Sequence, residues 1–225
     1  MNKCQHLKNK IVFASEIKSI LASSKFQRNP NLDAISSYLT FRQPIWDLSF
    51  FNGIEKLLPG EAIVIKDGSI VDRWSWYKLP IFNNPKKNIN KEQAISGIAK
   101  YLRRAVHRQM VSDVPLGAFL SGGLDSSAIV SFAKEKDPNI RCFTIETLGG
   151  QDRGNVDDLP YAKRVAKHLN VSLDVVTIDS HRMASDLESM VIQLDEPLAD
   201  PAALNVLYIS KLAREQGIKV LLSGA

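Results

Sequence analysis

The chain has 225 residues and a mass of 25.1 kDa, enough for one or two domains at roughly 100–200 residues each. Apolar residues make up 44% and charged residues 24%, a composition that excludes wholesale disorder, collagen-like repeats and a disulfide scaffold. The net charge is only +5, less than a nucleic-acid domain usually carries, and no apolar run approaches the ~18 residues of a membrane helix, so neither nucleic acid nor a membrane is an expected partner.

The opening mixes Lys3, Lys8, Lys10, Glu16 and Lys18 among short apolar stretches, unlike a secretory signal. Together with two cysteines of no metal-binding spacing, Cys4 and Cys142, this places the chain in a reducing cytoplasm. Lys10–Ala14 reads as a strand, followed by a helix over 16–23 with Ser15 as its cap. Asp33 is expected to cap a second helix over 34–40. Ala62–Ile65, the turn residues Lys66-Asp67-Gly68-Ser69 and a return strand over 70–76 predict a hairpin. Residues 1–80 are thus β-rich. Trp46, Trp74 and Trp76 are expected in their core or at a domain interface. Residues 81–90, rich in proline and asparagine, read as a linker.

From Lys91 the apolar period becomes helical. Ile95, Ile98, Ala99, Leu102, Ala105 and Val106 mark the inward face of a helix over 91–110. On its polar face, Lys100, Arg103, Arg104, His107 and Arg108 read first as a solvated surface, with a phosphate- or RNA-binding stripe as the alternative. His107, His168 and His181 read as surface residues without a partner. Strands are expected at 116–120, 140–145, 173–178 and 219–222. Helices are expected at 126–136, 157–169, 183–194 and 202–216, the last stopped by Gly217. This alternation predicts an α/β fold with a parallel, doubly wound sheet, whose ligands bind at the carboxyl ends of the strands near the switch point. Asp152, Asp157 and Asp158 are expected to cap the helix that follows them. Asp195, Glu196 and Asp200 form an acidic loop, read as capping and solvated rather than as a substrate or metal site.

The chemistry concentrates in Leu120-Ser121-Gly122-Gly123-Leu124-Asp125-Ser126-Ser127, between a predicted strand and a predicted helix. Two glycines permit a sharp turn and close approach to a ligand. Three serines offer hydroxyl donors, and the helix start presents unpaired N–H groups with partial positive charge. The arrangement suits phosphate or pyrophosphate. Asp125 would repel a bare phosphate, a conflict that Mg²⁺ between carboxylate and phosphates resolves. A Walker loop requires a Gly-Lys-Ser/Thr ending, and neither it nor the dinucleotide Gly-x-Gly-x-x-Gly is present.

Ser121–Ser126 resembles the pyrophosphate loop of N-type ATP pyrophosphatases. The flanks narrow the resemblance to the asparagine synthetase (glutamine-hydrolysing) family: Val114–Leu120, Phe143-Thr144-Ile145, Asp195-Glu196-Pro197 and Leu222-Ser223-Gly224. Upstream, Phe13–Glu16, Ile54–Gly60, Asp67-Gly68 and Arg73–Tyr77 resemble the last part of that family's glutaminase domain. The resemblance covers nearly the whole chain.

It implies an adenine nucleotide alpha hydrolase-like sheet over 91–225, preceded over 1–80 by a β-rich remnant of an N-terminal-nucleophile glutaminase domain. Leu120 and Ile145 would hold adenine. Ser121, Gly122, Gly123, Asp125 and Ser126 would hold the pyrophosphate, Asp125 reaching Mg²⁺. Ser223 and Gly224 would face the nucleotide and the acyl substrate. The implied activity is an ATP-dependent ligase: adenylation of a carboxylate, such as aspartate, then attack by glutamine-derived ammonia, with release of AMP and pyrophosphate. A homodimer is left open.

Two departures stand out. Cys4 lies inside the chain and reads as a surface thiol rather than the family's N-terminal nucleophile. The family's later acidic residues and lysine do not follow Gly224, so a truncated member is expected, with no complete catalytic set. Ala225 occupies a position that is commonly glutamate in asparagine synthetases, a pattern associated with relatives that amidate other carboxylates. A catalytically incomplete nucleotide-binding module is the alternative.

Overall fold

The computed structural model describes residues 3–7, 10–23, 27–79, 90–148, 158–198, 200 and 202–224. The chain divides into two compact units, Met1–Pro85 with Val191–Asp200, and Lys86–Met190 with Pro201–Ala225. The expected linker lies outside the described residues except for Asn90.

In the first unit, β1 (Lys3–Leu7) pairs antiparallel with β2 (Lys10–Ala14) on one side and β3 (Ile54–Lys56) on the other. Only β2 was expected as a strand; β1 is too polar, and β3 too short, to carry a period of two. The predicted hairpin is present as β4 (Glu61–Lys66) and β5 (Ser69–Ser75). Asp67 and Gly68 turn it with φ of 50° and 73°, the paired positive values of a turn that matches strand twist. Ile17 and Ile20 of α1 (Ile17–Ser23) bury against Ile54. In α2 (Leu32–Phe41) the cap is Asn31, not Asp33: its side-chain oxygen accepts from the N–H groups of Asp33 and Ala34. Trp46, Trp74 and Trp76 are all exposed, at 75%, 44% and 67%, so none belongs to the core.

The acidic segment 195–196 belongs to this unit. Asp195 closes the amino end of α1, its Oδ2 accepting from the Ile17 N–H at 2.9 Å and its Oδ1 from the Lys18 N–H at 3.2 Å. The capping role is as expected, but for a helix some 180 positions earlier in the chain, where Ser15 was the candidate. Glu196 is not solvated. It meets Lys56 Nζ at 2.7 Å, with only 15% and 8% of the two side chains exposed.

The second unit begins with α3 (Lys91–Gln109), started by a capping box in which Asn90 Oδ1 accepts from the Gln93 N–H at 2.8 Å. Its carboxyl half packs inward through Leu102, Val106 and Met110. Its amino half does not: Ile95 and Ile98 are 57% and 66% exposed; in the carboxyl half Ala105 is exposed too, against expectation. A helical period shows which residues share a face, not whether a neighbour covers it.

Then follow β6 (Leu116–Phe119), α4 (Leu124–Lys134), β7 (Arg141–Leu148), α5 (Leu159–Leu169), β8 (Ser172–Asp179), α6 (Ser180–Gln193), α7 (Ala202–Glu215) and β9 (Val220–Leu222). The four strands form the expected parallel sheet in the order β8-β7-β6-β9. Side chains alternate between its faces. Ala118, Leu120, Cys142 and Leu222 pack with α3, α4 and α5 residues on one face, while Phe119, Phe143, Ile145 and Leu221 pack with Ile209 and Ala213 of α7 on the other. Asp158 occupies the cap position of α5 but makes no side-chain cap hydrogen bond there. Asp152 and Asp157 lie outside the described residues. His107 is half-buried, not a free surface residue: its Nε2 lies 3.0 Å from the Phe132 carbonyl and 3.3 Å from Glu135.

Removing one member of a buried ion pair leaves the other charge without compensation, at a cost of about 3–5 kcal/mol. Lys56→Met should therefore destabilise the first unit strongly, and Lys56→Met with Glu196→Leu should recover most of the loss. Urea denaturation of both variants checks this.

Candidate nucleotide site

Strand order reverses between β6 and β9, because the chain runs outward from β6 through β7 to β8 and then returns to the other side of β6. Such a switch point opens a crevice at the strands' carboxyl ends. The segments leaving β6 and β9 there are Leu120–Gly123 and Ser223-Gly224.

Leu120 directly follows β6. Its N–H donates to the Phe143 carbonyl at 2.9 Å and its side chain is 1% exposed. It fixes the root of the loop, and its side chain is in the core rather than in the crevice. Gly122 then turns with φ of +81°, and a Cβ there would lie 2.4 Å from the Tyr161 carbonyl carbon and 2.5 Å from the Ala162 nitrogen. Only glycine fits against the first turn of α5. Gly123 is the cap of α4 and makes no side-chain cap hydrogen bond. The N–H groups of Leu124, Asp125 and Ser126 consequently have no acceptor within the helix.

The serine hydroxyls hold the loop itself. Ser121 Oγ lies 3.0 Å from Ser126 Oγ and accepts from the Gly123 N–H at 3.3 Å. Ser126 Oγ accepts from the Ser121 N–H at 3.3 Å and faces the Gly123 carbonyl at the same distance. Ser127 Oγ donates to that carbonyl at 2.6 Å. The hydroxyls expected to reach a ligand are thus engaged within the loop, and the backbone N–H groups remain as the anion donors.

Gly224 closes the other side. A Cβ on it would sit 2.9 Å from the Ser126 nitrogen and 3.2 Å from Asp125 Cβ. The segment after β9 therefore runs directly against the start of α4. Ser223 is exposed beside it. Ile145 is half-buried on β7, two positions past the Phe119–Phe143 register pair, in the cluster on the α7 face. It lies on the opposite face from Leu120, so their side chains do not converge. Ala225 lies outside the described residues.

Asp125 is exposed in the first turn of α4. Among the described residues no group of three or more histidine, cysteine or carboxylate side chains could hold a metal by itself. One carboxylate beside an anion cradle suits Mg²⁺, which commonly binds through one or two carboxylates and the phosphates of its substrate. Cys142 is no candidate nucleophile: burial, then the nearby Asp174 carboxylate, push its thiol up to about 12. A concavity beside Arg214, Gly217, Ile218 and Lys219 sits at the amino end of β9 and contains none of the loop residues. The sequence reading missed the α5 backbone at Tyr161-Ala162. Its only local signal was Pro160 within the first helical turn.

A sequence model of the asparagine synthase family matches residues 97–225, and one of a glutamine amidotransferase domain matches residues 4–77. The first covers more than half of the chain, which therefore belongs to the asparagine synthase family. Similar relatives include asparagine synthetase [glutamine-hydrolyzing] 1 of Bacillus subtilis, 29% identical over 97% of this chain and 33% of that protein. Another is amidase chyE of Penicillium rubens, 27% identical over 97% of this chain and 34% of that protein. The chain thus spans about a third of the length of these curated relatives. Among solved structures, the NMN synthetase of Francisella tularensis is similar at 16% identity and a TM-score of 0.37, over 59% of this chain and 54% of that one.

Alanine at position 122 would face both a left-handed backbone, at roughly 1–2 kcal/mol, and the α5 backbone, at roughly 1–3 kcal/mol. Position 123 has ordinary φ of −68° and its nearest neighbour, Ser121 Oγ, at 3.4 Å. Thermal denaturation should show Gly122→Ala as the clearly more damaging change and Gly123→Ala at about 1 kcal/mol.

Proposed function

We propose that the second unit binds Mg-ATP at Gly122–Ser126 and that the protein uses it to adenylate a carboxylate for amidation. The observation that carries this reading is the uncapped start of α4. Three N–H groups without helical acceptors lie at the carboxyl edge of the sheet, at its switch point, beside one exposed carboxylate. Helix N-termini of this kind bind phosphates through N–H donors and the local dipole. Asp125 would hold Mg²⁺, and the bound ion would neutralise phosphate charge as the α–β bond breaks.

In this reading Gly122, Gly123, Asp125 and Ser126 surround the pyrophosphate, while Leu120 and Ser121 set the shape of the loop. Ile145 contributes to the adenine side, and Ser223 and Gly224 border the nucleotide and acyl substrate. The substrate carboxylate oxygen attacks the α-phosphorus, and pyrophosphate leaves. Ammonia then attacks the acyl carbon of the adenylate, AMP leaves and a proton is released. The chain's part is to position the phosphates and offer preorganised donors where charge develops. The glutamine amidotransferase match over residues 4–77 supports glutamine as the ammonia source. The carboxylate amidated is aspartate or another acid; Ala225 in place of the common glutamate favours the latter.

Mg-ATP should raise the melting temperature of the chain, by an amount corresponding to ~2.7 kcal/mol at a hundred times its Kd, and Asp125→Ala should abolish most of that rise. The protein should release AMP and pyrophosphate. No stabilisation by Mg-ATP, or release of ADP and phosphate, would contradict the proposal.

A further inference from the structure

The basic stretch of α3 is exposed and borders a shallow, solvent-open depression. Lys100, Arg103, Arg104, His107 and Arg108 line a concavity of ≈ 420 Å³, and Lys136, just beyond α4, completes its wall. It lies towards the carboxyl end of α4, whereas the nucleotide loop lies at the amino end of that helix. Both belong to the second unit.

The charge there is poorly balanced. Glu135 meets Arg103 Nε at 3.1 Å and His107 Nε2 at 3.3 Å. Arg103 also lies over the Phe132 ring, 4.8 Å from its centroid. Among the described residues, no ion pair engages Lys100, Arg104, Arg108 or Lys136. One carboxylate thus stands against five permanent cations. Lys100 and Arg104, and Arg104 and Arg108, are also like charges four apart on one helix, a spacing that weakens the helix.

The helix dipole accounts for part of this pattern, since cations are favourable in a last turn. It covers His107 and Arg108. It does not cover Lys100, Arg103 and Arg104, which lie one to two turns earlier, or Lys136, which comes from another element. Like charges gathered on one surface raise the local potential and attract counter-ions. Guanidinium forks match phosphate oxygens. Phe, Tyr and Trp are absent from the lining, so the site lacks the stacking platform of a single-stranded nucleic-acid binder.

We propose that this concavity is a second anion site, separate from the nucleotide loop, that binds a compact polyphosphate. The arginines grip its oxygens, and Lys100 and Lys136 neutralise the remaining charge. Arg103 and His107 are held in place by Glu135 and form the fixed wall.

Calorimetric titration of the chain with tripolyphosphate tests this. Two binding events are expected, one of them weakening steeply as salt rises. Arg104→Gln with Arg108→Gln should weaken that event at least tenfold and leave the other unchanged. These side chains are exposed, and an unchanged melting temperature checks that the fold survives. Lys136→Gln, on a different element, should weaken the same event. Ser121→Ala with Ser126→Ala should affect only the other. A single event that the serine pair abolishes and the arginine pair spares would overturn the second site and leave the nucleotide reading standing. Absence of any arginine-dependent event would also overturn it. So would arginine-dependent binding of a single-stranded RNA oligomer without binding of tripolyphosphate.

Discussion

Everything at the loop depends on how closely two backbone segments approach the turn into α4. Tyr161-Ala162 lies against Gly122 on one side, and Gly224 lies against Asp125 and Ser126 on the other, each too near for an intervening Cβ. Interiors are packed too tightly to absorb a displacement of that size. The approach holds the loop in one conformation, and glycine at the cap position leaves the first N–H groups of α4 without a cap side chain. The hydroxyl contact between Ser121 and Ser126, and the bond that Ser127 donates to the Gly123 carbonyl, serve the same end, fixing the loop before any ligand arrives. Preorganised donors of this kind are more effective than donors that must reorient as charge develops.

The parallel sheet was legible because it rests on short-range patterns. Apolar runs of strand length alternate with helical periods, and Gly122-Gly123 and Gly217 punctuate them. The location of the candidate site was legible for the same reason: a glycine-serine segment between strand and helix admits few conformations. What the sequence did not reveal is what lies across from each residue. Nothing local says that Tyr161-Ala162 fills the space beside Gly122, or that the serine hydroxyls bond to one another rather than face outward. Leu120 shows the same limit. The family resemblance implied an adenine contact for it, but its side chain turns into the core, on the opposite face from that of Ile145.

The first unit was read less well, for a physical reason. Its β1 is polar and its β3 has only three residues, so pairing rather than pattern defines these two strands. Asp195 and Glu196 are the clearest case. Acidic residues in a loop are usually solvated, yet here one caps α1 and the other enters a nearly buried pair with Lys56. Each role is set by a partner more than 130 positions away. The tryptophans differ in the other direction: they were expected in the core or at a domain interface, and the structure leaves Trp46, Trp74 and Trp76 out of the core.

The central claim is that backbone N–H groups at the start of α4 receive the phosphates of a nucleotide. The most direct test is to follow the amide resonances of Leu124, Asp125 and Ser126 while Mg-ATP is added. Large shifts at these three amides and at Gly122 and Gly123, with smaller ones near Ile145 and Gly224, are the predicted result. Unchanged resonances at the loop, with shifts confined to other parts of the chain, would contradict it.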